Sequence, residues 1–247
     1  MKRKLNVLMF FVFLSASLAA QSQSASRVDP FVDITGTFGK DQGSGAASYV
    51  YNWKIGKKQK IEIGLGARWT TYFGKKKDFL TAGPAKKTRS STTPFLIFFA
   101  GQEEQNFDTL TVQRPLTNSL NLTVNLGYNL SRKWYAGFNI DLIGVSFGRK
   151  SSGILTSNGR TTTEPNAKPT SFNVLLTGDH DRGTLNSEFF VKYKLNDQWA
   201  LKAVYQFIFV EYTTEMQKQQ FSDGSSNDRF RNKANNVGLG IAYHFKK

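Results

Sequence analysis

The chain has 247 residues, 33 Lys and Arg against 18 Asp and Glu, a formal net charge of +15 and no cysteine. The missing cysteine excludes disulfides, thiolate metal sites and the lipid-modified cysteine of a lipoprotein together, and no apolar run reaches the roughly 20 residues that a membrane-spanning helix needs. A domain of this length must then hold by backbone pairing and burial alone, and its charge calls for an anionic partner.

Residues 1–20 read as a secretory signal peptide. Lys2, Arg3 and Lys4 form a positive n-region, residues 5–14 are apolar apart from Asn6, and the small residues Ser15, Ala16, Ser17, Ala19 and Ala20 offer cleavage after Ala19 or Ala20. An exported chain rarely meets nucleic acid, so lipopolysaccharide and phospholipid headgroups are the expected anionic partners. Residues 21–247 form one domain built from stretches of period two, the mark of strands with two different faces.

The first such strand covers residues 30–38, with Val32, Ile34 and Phe38 on one face and Asp33, Thr35 and Thr37 on the other. Residues 39–48, rich in Gly and Ser, read as a loop, and residues 49–55 as a second strand ending in a polar turn at residues 56–59. In residues 61–73 the alternation is clear: Ile61, Ile63, Leu65, Ala67, Trp69 and Phe73 oppose Glu62, Gly64, Gly66, Arg68, Thr70 and Tyr72. A long connection at 74–114 precedes residues 116–129, whose leucines alternate with a row of Thr, Ser and Asn.

After a turn at Ser131, Arg132 and Lys133, residues 134–147 form the fifth strand, with Leu142 and Ile143 breaking the alternation as a bulge or the end of an apolar band would. A second long connection spans residues 148–182. Residues 185–194 and the strand starting at Trp199 flank a turn at Asn196, Asp197 and Gln198. A polar loop at 213–233 leads to residues 236–245, where Val237, Leu239, Ile241, Tyr243 and Phe245 alternate with Asn236, Gly238, Gly240, Ala242 and His244.

Small and polar residues opposite large apolar ones suit a crowded interior and an apolar exterior, the inverted arrangement of a transmembrane barrel. Eight strands of sufficient length are expected, joined alternately by tight turns and long connections, so the tight turns fall on one side as periplasmic turns do. Trp53, Tyr128, Trp134, Tyr193, Trp199, Tyr243 and Phe245 gather at the ends nearest those turns, as an aromatic girdle would. Within the connection at 74–114, the apolar residues 94–100 are expected to extend a hairpin with residues 107–112, to fold into the barrel mouth, or to add a ninth and tenth strand.

In this pattern the chain resembles the small outer-membrane β-barrel proteins of Gram-negative bacteria, similar to the OmpA transmembrane domain and the porin-like barrels of Bacteroidetes. The resemblance implies an all-β, antiparallel, up-and-down transmembrane β-barrel of eight strands, with ten as the alternative, in the outer membrane. The stretch from Val237 to Phe245 resembles the carboxyl-terminal signal read by the barrel-assembly machinery, displaced here by Lys246 and Lys247.

An eight-stranded barrel is just wide enough to be filled by its own side chains or one small ligand. The inward charges Glu62, Arg68, Asp141, Glu188, Lys192 and Lys202 are then expected to pair into a plug. Lys75, Lys76, Lys77, Lys86, Lys87 and Arg89, in the connection between the third and fourth expected strands, are candidate contacts for lipopolysaccharide phosphates. The expected function is structural, a monomeric envelope protein whose loops are its contact surface; the alternative is a narrow transport or binding barrel for a small solute or lipid. Catalysis, cofactors and metals are not expected: His180 and His244 are the sole histidines, and Ser187 and Glu188 point to opposite faces.

Overall fold

The computed structural model describes residues 27–93 and 95–245; the expected signal peptide, Pro94, Lys246 and Lys247 lie outside the described residues. The described chain is mostly strand. In order these are β1 (Val28–Gly39), β2 (Gln42–Ile55), β3 (Ile61–Gly74), β4 (Lys76–Thr81), β5 (Thr109–Gln113), β6 (Leu116–Asn129), β7 (Trp134–Gly148) and β8 (Ser151–Ser157). There follow β9 (Arg160–Pro169), β10 (Phe172–Val174), β11 (Leu185–Lys194), β12 (Trp199–Thr213), β13 (Gln219–Gln220), β14 (Ser226–Asn227) and β15 (Arg229–His244), with one short helix, α1 (Ala85–Thr88).

The long strands β1, β2, β3, β6, β7, β11, β12 and β15 pair antiparallel, each with two of the others. A path across directly opposed residues runs from Val28 through Trp53, Ile63, Leu126, Phe138, Phe189, Tyr205 and Val237 and returns to β1 at Phe38. That stagger of about ten residues around the ring is what tilts strands at ~40° to the axis of a small barrel. Every residue between Trp53 and Val237 on this path is apolar or aromatic, and most are exposed.

One residue along each strand, the opposite row reads Asn52, Glu62, Asn125, Asn139, Glu188, Gln206, Asn236 and Thr37, all buried. The outside of the ring is thus oily and the inside polar. Three tight turns close one end, two of them fixed by their own side chains: Ser131 Oγ accepts from the N–H groups of Lys133 and Trp134, and Asn196 Oδ1 from those of Gln198 and Trp199. Aromatic pairs gather at this end, with ring centroids 4.9 Å apart for both Trp134–Tyr193 and Trp199–Tyr243.

At the other end the connections build structure of their own. β4 pairs with β15 and β5, β5 with β8, β8 with β9, and β9 with β12, so these strands and the ends of β12 and β15 make a second, narrower circuit. Its interior is apolar: Phe79, Leu110, Val112, Leu155, Ala167, Ile208, Val210, Tyr212 and Phe230 form one buried cluster. Phe79 meets Tyr212 edge-on at 5.1 Å. The inward row of β12 therefore changes character along its length, from Lys202 and Gln206 in the ring to Ile208, Val210 and Tyr212 in this head.

Three expectations need correction. The count of eight covers the long strands alone, because thirteen strands join the main sheet and the connections at 74–114 and 148–182 contribute β4, β5, β8, β9 and β10. Residues 42–48 are strand, not loop. Their small residues answer to space: a Cβ on Gly43 would stand 2.8 Å from the Phe73 ring, and Ser44 Oγ reaches Thr37 Oγ1 at 2.8 Å. The first connection shrinks to Lys40 and Asp41, with Asp41 at φ 58. Of the alternatives for residues 94–112, β5 pairs with β4 as a hairpin while residues 95–100 fold around a 3-10 turn at Leu96–Phe98. The bulge falls at Leu142, skipped between the Leu122–Ile143 and Thr123–Asp141 pairs.

Gly127 faces the lumen, and a Cβ there would collide with Tyr135 Oη. Gly127→Ala is expected to push Tyr135 away from Asn52 and Asn125 and to cost about 1–3 kcal/mol. Urea unfolding of the folded protein checks this, and unchanged stability would show that the lumen has slack.

Candidate functional site

Five charges of alternating sign cross the lumen. Arg68 on β3 donates from Nε and Nη2 to Asp141 Oδ1 on β7 at 3.0 and 2.5 Å, and its Nη1 lies 3.4 Å from Glu188 Oε1 on β11. Lys202 on β12 donates to Glu188 Oε2 at 2.7 Å and to Asp33 Oδ2 on β1 at 3.1 Å. All five side chains are buried. Such burial is tolerated only where each charge has a partner and its remaining donors are used. Arg68 also donates to Asn139 Oδ1 and the Asn186 carbonyl, and Lys202 to Thr35 Oγ1.

The other two expected lumen charges stand apart from this chain. Glu62 accepts from Asn52 Nδ2 at 2.8 Å and Asn129 Nδ2 at 2.7 Å. Lys192 sits against aromatic faces, its Nζ 3.5 Å from the Phe31 ring centroid and 4.4 Å from that of Tyr135, a cation–π cage. Its Nζ is 3.4 Å from His244 Nε2, whose Nδ1 is 2.8 Å from Asp29 Oδ1. Asp33 was legible as an inward residue of the first strand, but its partner Lys202 lies 169 residues away in the chain. Ser187 and Glu188 diverge: the Ser187 hydroxyl donates to the Phe207 carbonyl, and Glu188 enters the lumen.

On the outer face of the head, residues 175–184 and α1 are held down by Asp179. Its Oδ2 accepts from Thr88 Oγ1 at 2.8 Å and Arg89 Nε at 2.9 Å, and Lys233 Nζ lies 3.7 Å from Oδ1. Burial opposes ionisation of Asp179, but Lys233, Thr88 and Arg89 outweigh it and hold the carboxyl below its ordinary value. Glu211 takes Arg229 and Arg231 in the same region, both within 2.8 Å.

The cationic candidates separate into two places. Lys86, Lys87 and Arg89 belong to α1 and its end, where Lys87 pairs with Asp223 and Arg89 with Asp179. Lys77 Nζ donates to the Lys40 carbonyl. Lys75 and Lys76 instead line a groove of about 650 Å³ at the waist between ring and head, with Arg114, Arg149, Gln113, Phe73, Pro115 and Leu116. Its cations come from three of the places where the chain passes between ring and head: β3 to β4, β5 to β6, and β7 to β8. Arg149 donates to the Arg114 carbonyl and Arg114 N–H to the Lys75 carbonyl, so the joints are tied to one another. Arg114 and Arg149 carry no motif; adjacency to a strand end was the one sequence signal available.

No family model matches the chain, and no curated protein matches it. Several solved structures do match. The chain is similar to a major outer membrane protein from Thermus thermophilus, with TM-score 0.38, 13% identity, and 88% of this chain and 99% of that one covered. It is similar to Neisserial surface protein A, with TM-score 0.36, 8% identity, and coverage of 90% and 100%. It is also similar to Ail, the attachment invasion locus protein of Yersinia pestis, with TM-score 0.33, 7% identity, and coverage of 88% and 96%.

Arg68→Ala leaves Asp141 without its cation and Glu188 with one of two, and should cost about 3–5 kcal/mol; a double-mutant cycle with Asp141→Leu is expected to recover part of that loss. For Asp179 the lowered folded-state value means that its stabilisation is complete above pH ~4, the unfolded value, and is lost as pH falls through the folded value. The hydrogen-exchange protection of residues 175–184, taken relative to the intrinsic exchange rate at each pH, should therefore fall below pH ~4, and Asp179→Asn should lower it at pH 7. Protection that is flat across that range would remove Asp179 from the clamp.

Proposed function

We propose that the chain is an integral outer-membrane β-barrel of eight membrane-spanning strands, closed to solutes, with a structural or envelope-interaction role. The observation that carries this reading is the inversion of the ring: a continuous exposed apolar belt around an interior of paired charges and amides. An exposed apolar surface that encircles the molecule is far beyond what a soluble monomer leaves in water, and a bilayer is the environment that covers it while the lumen satisfies its own polar groups. The aromatic end then faces the periplasm and the head lies outside the cell.

The closed state follows from two layers of filling, the alternating chain of charges across the ring and the apolar core of the head above it. No catalytic role is proposed. The head and waist are the contact surface for lipopolysaccharide or an external partner, the chain acts as a monomer, and the barrel-assembly machinery inserts it through its closing strand. In planar bilayers the folded protein is expected to give no discrete conductance. A reproducible single-channel step would overturn the plugged reading in favour of a narrow transport barrel.

A further inference from the structure

The waist groove is lined by the cations Lys75, Lys76, Arg114 and Arg149 and by no acid. Among the described residues none of the four is within salt-bridge distance of an acid, whereas Lys87, Arg89, Lys150, Lys168 and Lys233 all are. Four like charges held on three tied joints repel one another unless an anion lies between them.

Arg114 adds a second observation. It sits at φ 46, in the left-handed region where glycine is free and a side chain is disfavoured. The position holds an arginine nonetheless, and its neighbour Arg149 is oriented by donating to its carbonyl. Guanidinium groups present paired donors that match phosphate oxygens.

Below the cations the groove opens onto the apolar belt. Phe73 and Leu116 line its floor and oppose each other across β3 and β6. Trp69 and Phe147, both exposed, pack edge-on at 5.5 Å along the same side. An occupant that suits both parts is an amphiphile with anionic groups above and acyl chains below.

We propose that this groove binds the phosphates of lipopolysaccharide in the outer leaflet, with the lipid A acyl chains running down the face formed by Phe73, Leu116, Trp69 and Phe147. Four cations spread over three joints match a headgroup carrying two phosphates on a disaccharide better than the single phosphate of a phospholipid. The assignment rests on the reading of the belt as membrane-embedded. It excludes Lys86 and Lys87, which lie on α1.

The test uses the full chain folded into phosphatidylcholine vesicles, with bisphosphoryl lipid A, monophosphoryl lipid A, phosphatidylglycerol and inorganic phosphate as separate probes. Lipid retained per barrel after detergent extraction is read by mass spectrometry. Retention should follow the order bisphosphoryl, monophosphoryl, phosphatidylglycerol, and should fall as salt rises. The variant K75Q/K76Q/R114Q/R149Q should lose on the order of a hundredfold or more, since each cation near a lipid surface contributes about fivefold, while K86Q/K87Q should stay within about twofold on the same scale.

Should the fourfold variant not fold, the K75Q/K76Q pair with the salt series decides in its place. Equal retention by variant and wild type overturns the proposal. So does inorganic phosphate displacing lipid A at equimolar concentration, which would mark the groove as a site for free phosphate. Failure of the underlying reading is separate: the wild-type chain would then be stripped from the vesicles by alkaline carbonate before any lipid is scored.

Discussion

A strand of period two gives each residue one of two destinations, and closing the sheet into a ring makes one of them a narrow enclosed space. Everything else in the molecule follows from what is put there. With a stagger of about ten residues around eight strands, the enclosed space holds side chains and little more. Ionised groups placed in it must solve their own electrostatics. The series from Asp141 through Arg68, Glu188 and Lys202 to Asp33 does so by alternation, each charge lying beside opposite ones, and it ties β7, β3, β11, β12 and β1 across the lumen. Backbone pairing joins neighbours around the ring; these contacts also join strands that are not neighbours.

The same inward row solves a different problem higher up. Past Gln206 on β12 the inward residues become Ile208, Val210 and Tyr212, and the narrower circuit of β4, β5, β8 and β9 supplies Phe79, Leu110, Val112 and Leu155 to meet them. Polar filling suits the part whose exterior is oily, and oily filling suits the part whose exterior meets water. Tyr212 marks the boundary, for its ring packs in the head while its hydroxyl accepts from Leu116 N–H at 3.0 Å at the top of β6.

Much of the ring was legible in the chain because alternation over long strands is a local signal. The strands at Ile61–Gly74 and Leu116–Asn129 fall within a residue of where periodicity puts them. Residues 42–48 were not legible: Gly43 and Ser44 are small where Phe73 and Thr37 crowd them, and composition alone reads smallness as a loop. β4 and β5 escaped because they are short and pair with partners far along the chain, as Thr81 does with Phe230; β8 and β9 are a local hairpin around Asn158 and Gly159, both at positive φ, a turn signal that was present in the sequence but unread. The change from Gln206 to Ile208 was a visible clue that β12 leaves one environment for another. Among the charges, inward placement could be read from parity, but not the partners, and proximity in sequence grouped Lys86 and Lys87 with Lys75 and Lys76, which stand on different elements.

β12 and β15 belong to both circuits, and this has a kinetic meaning. The ring lacks its seam until β15 lies between β12 and β1, and the head lacks its seam until the same strand lies between β12 and β4. Neither can be finished ahead of the other, so the docking of β15 completes both in a single event. Until it arrives, the apolar faces of β4, β5 and β8 have no finished core to enter, and whatever escorts the chain must shield the future head as well as the future ring.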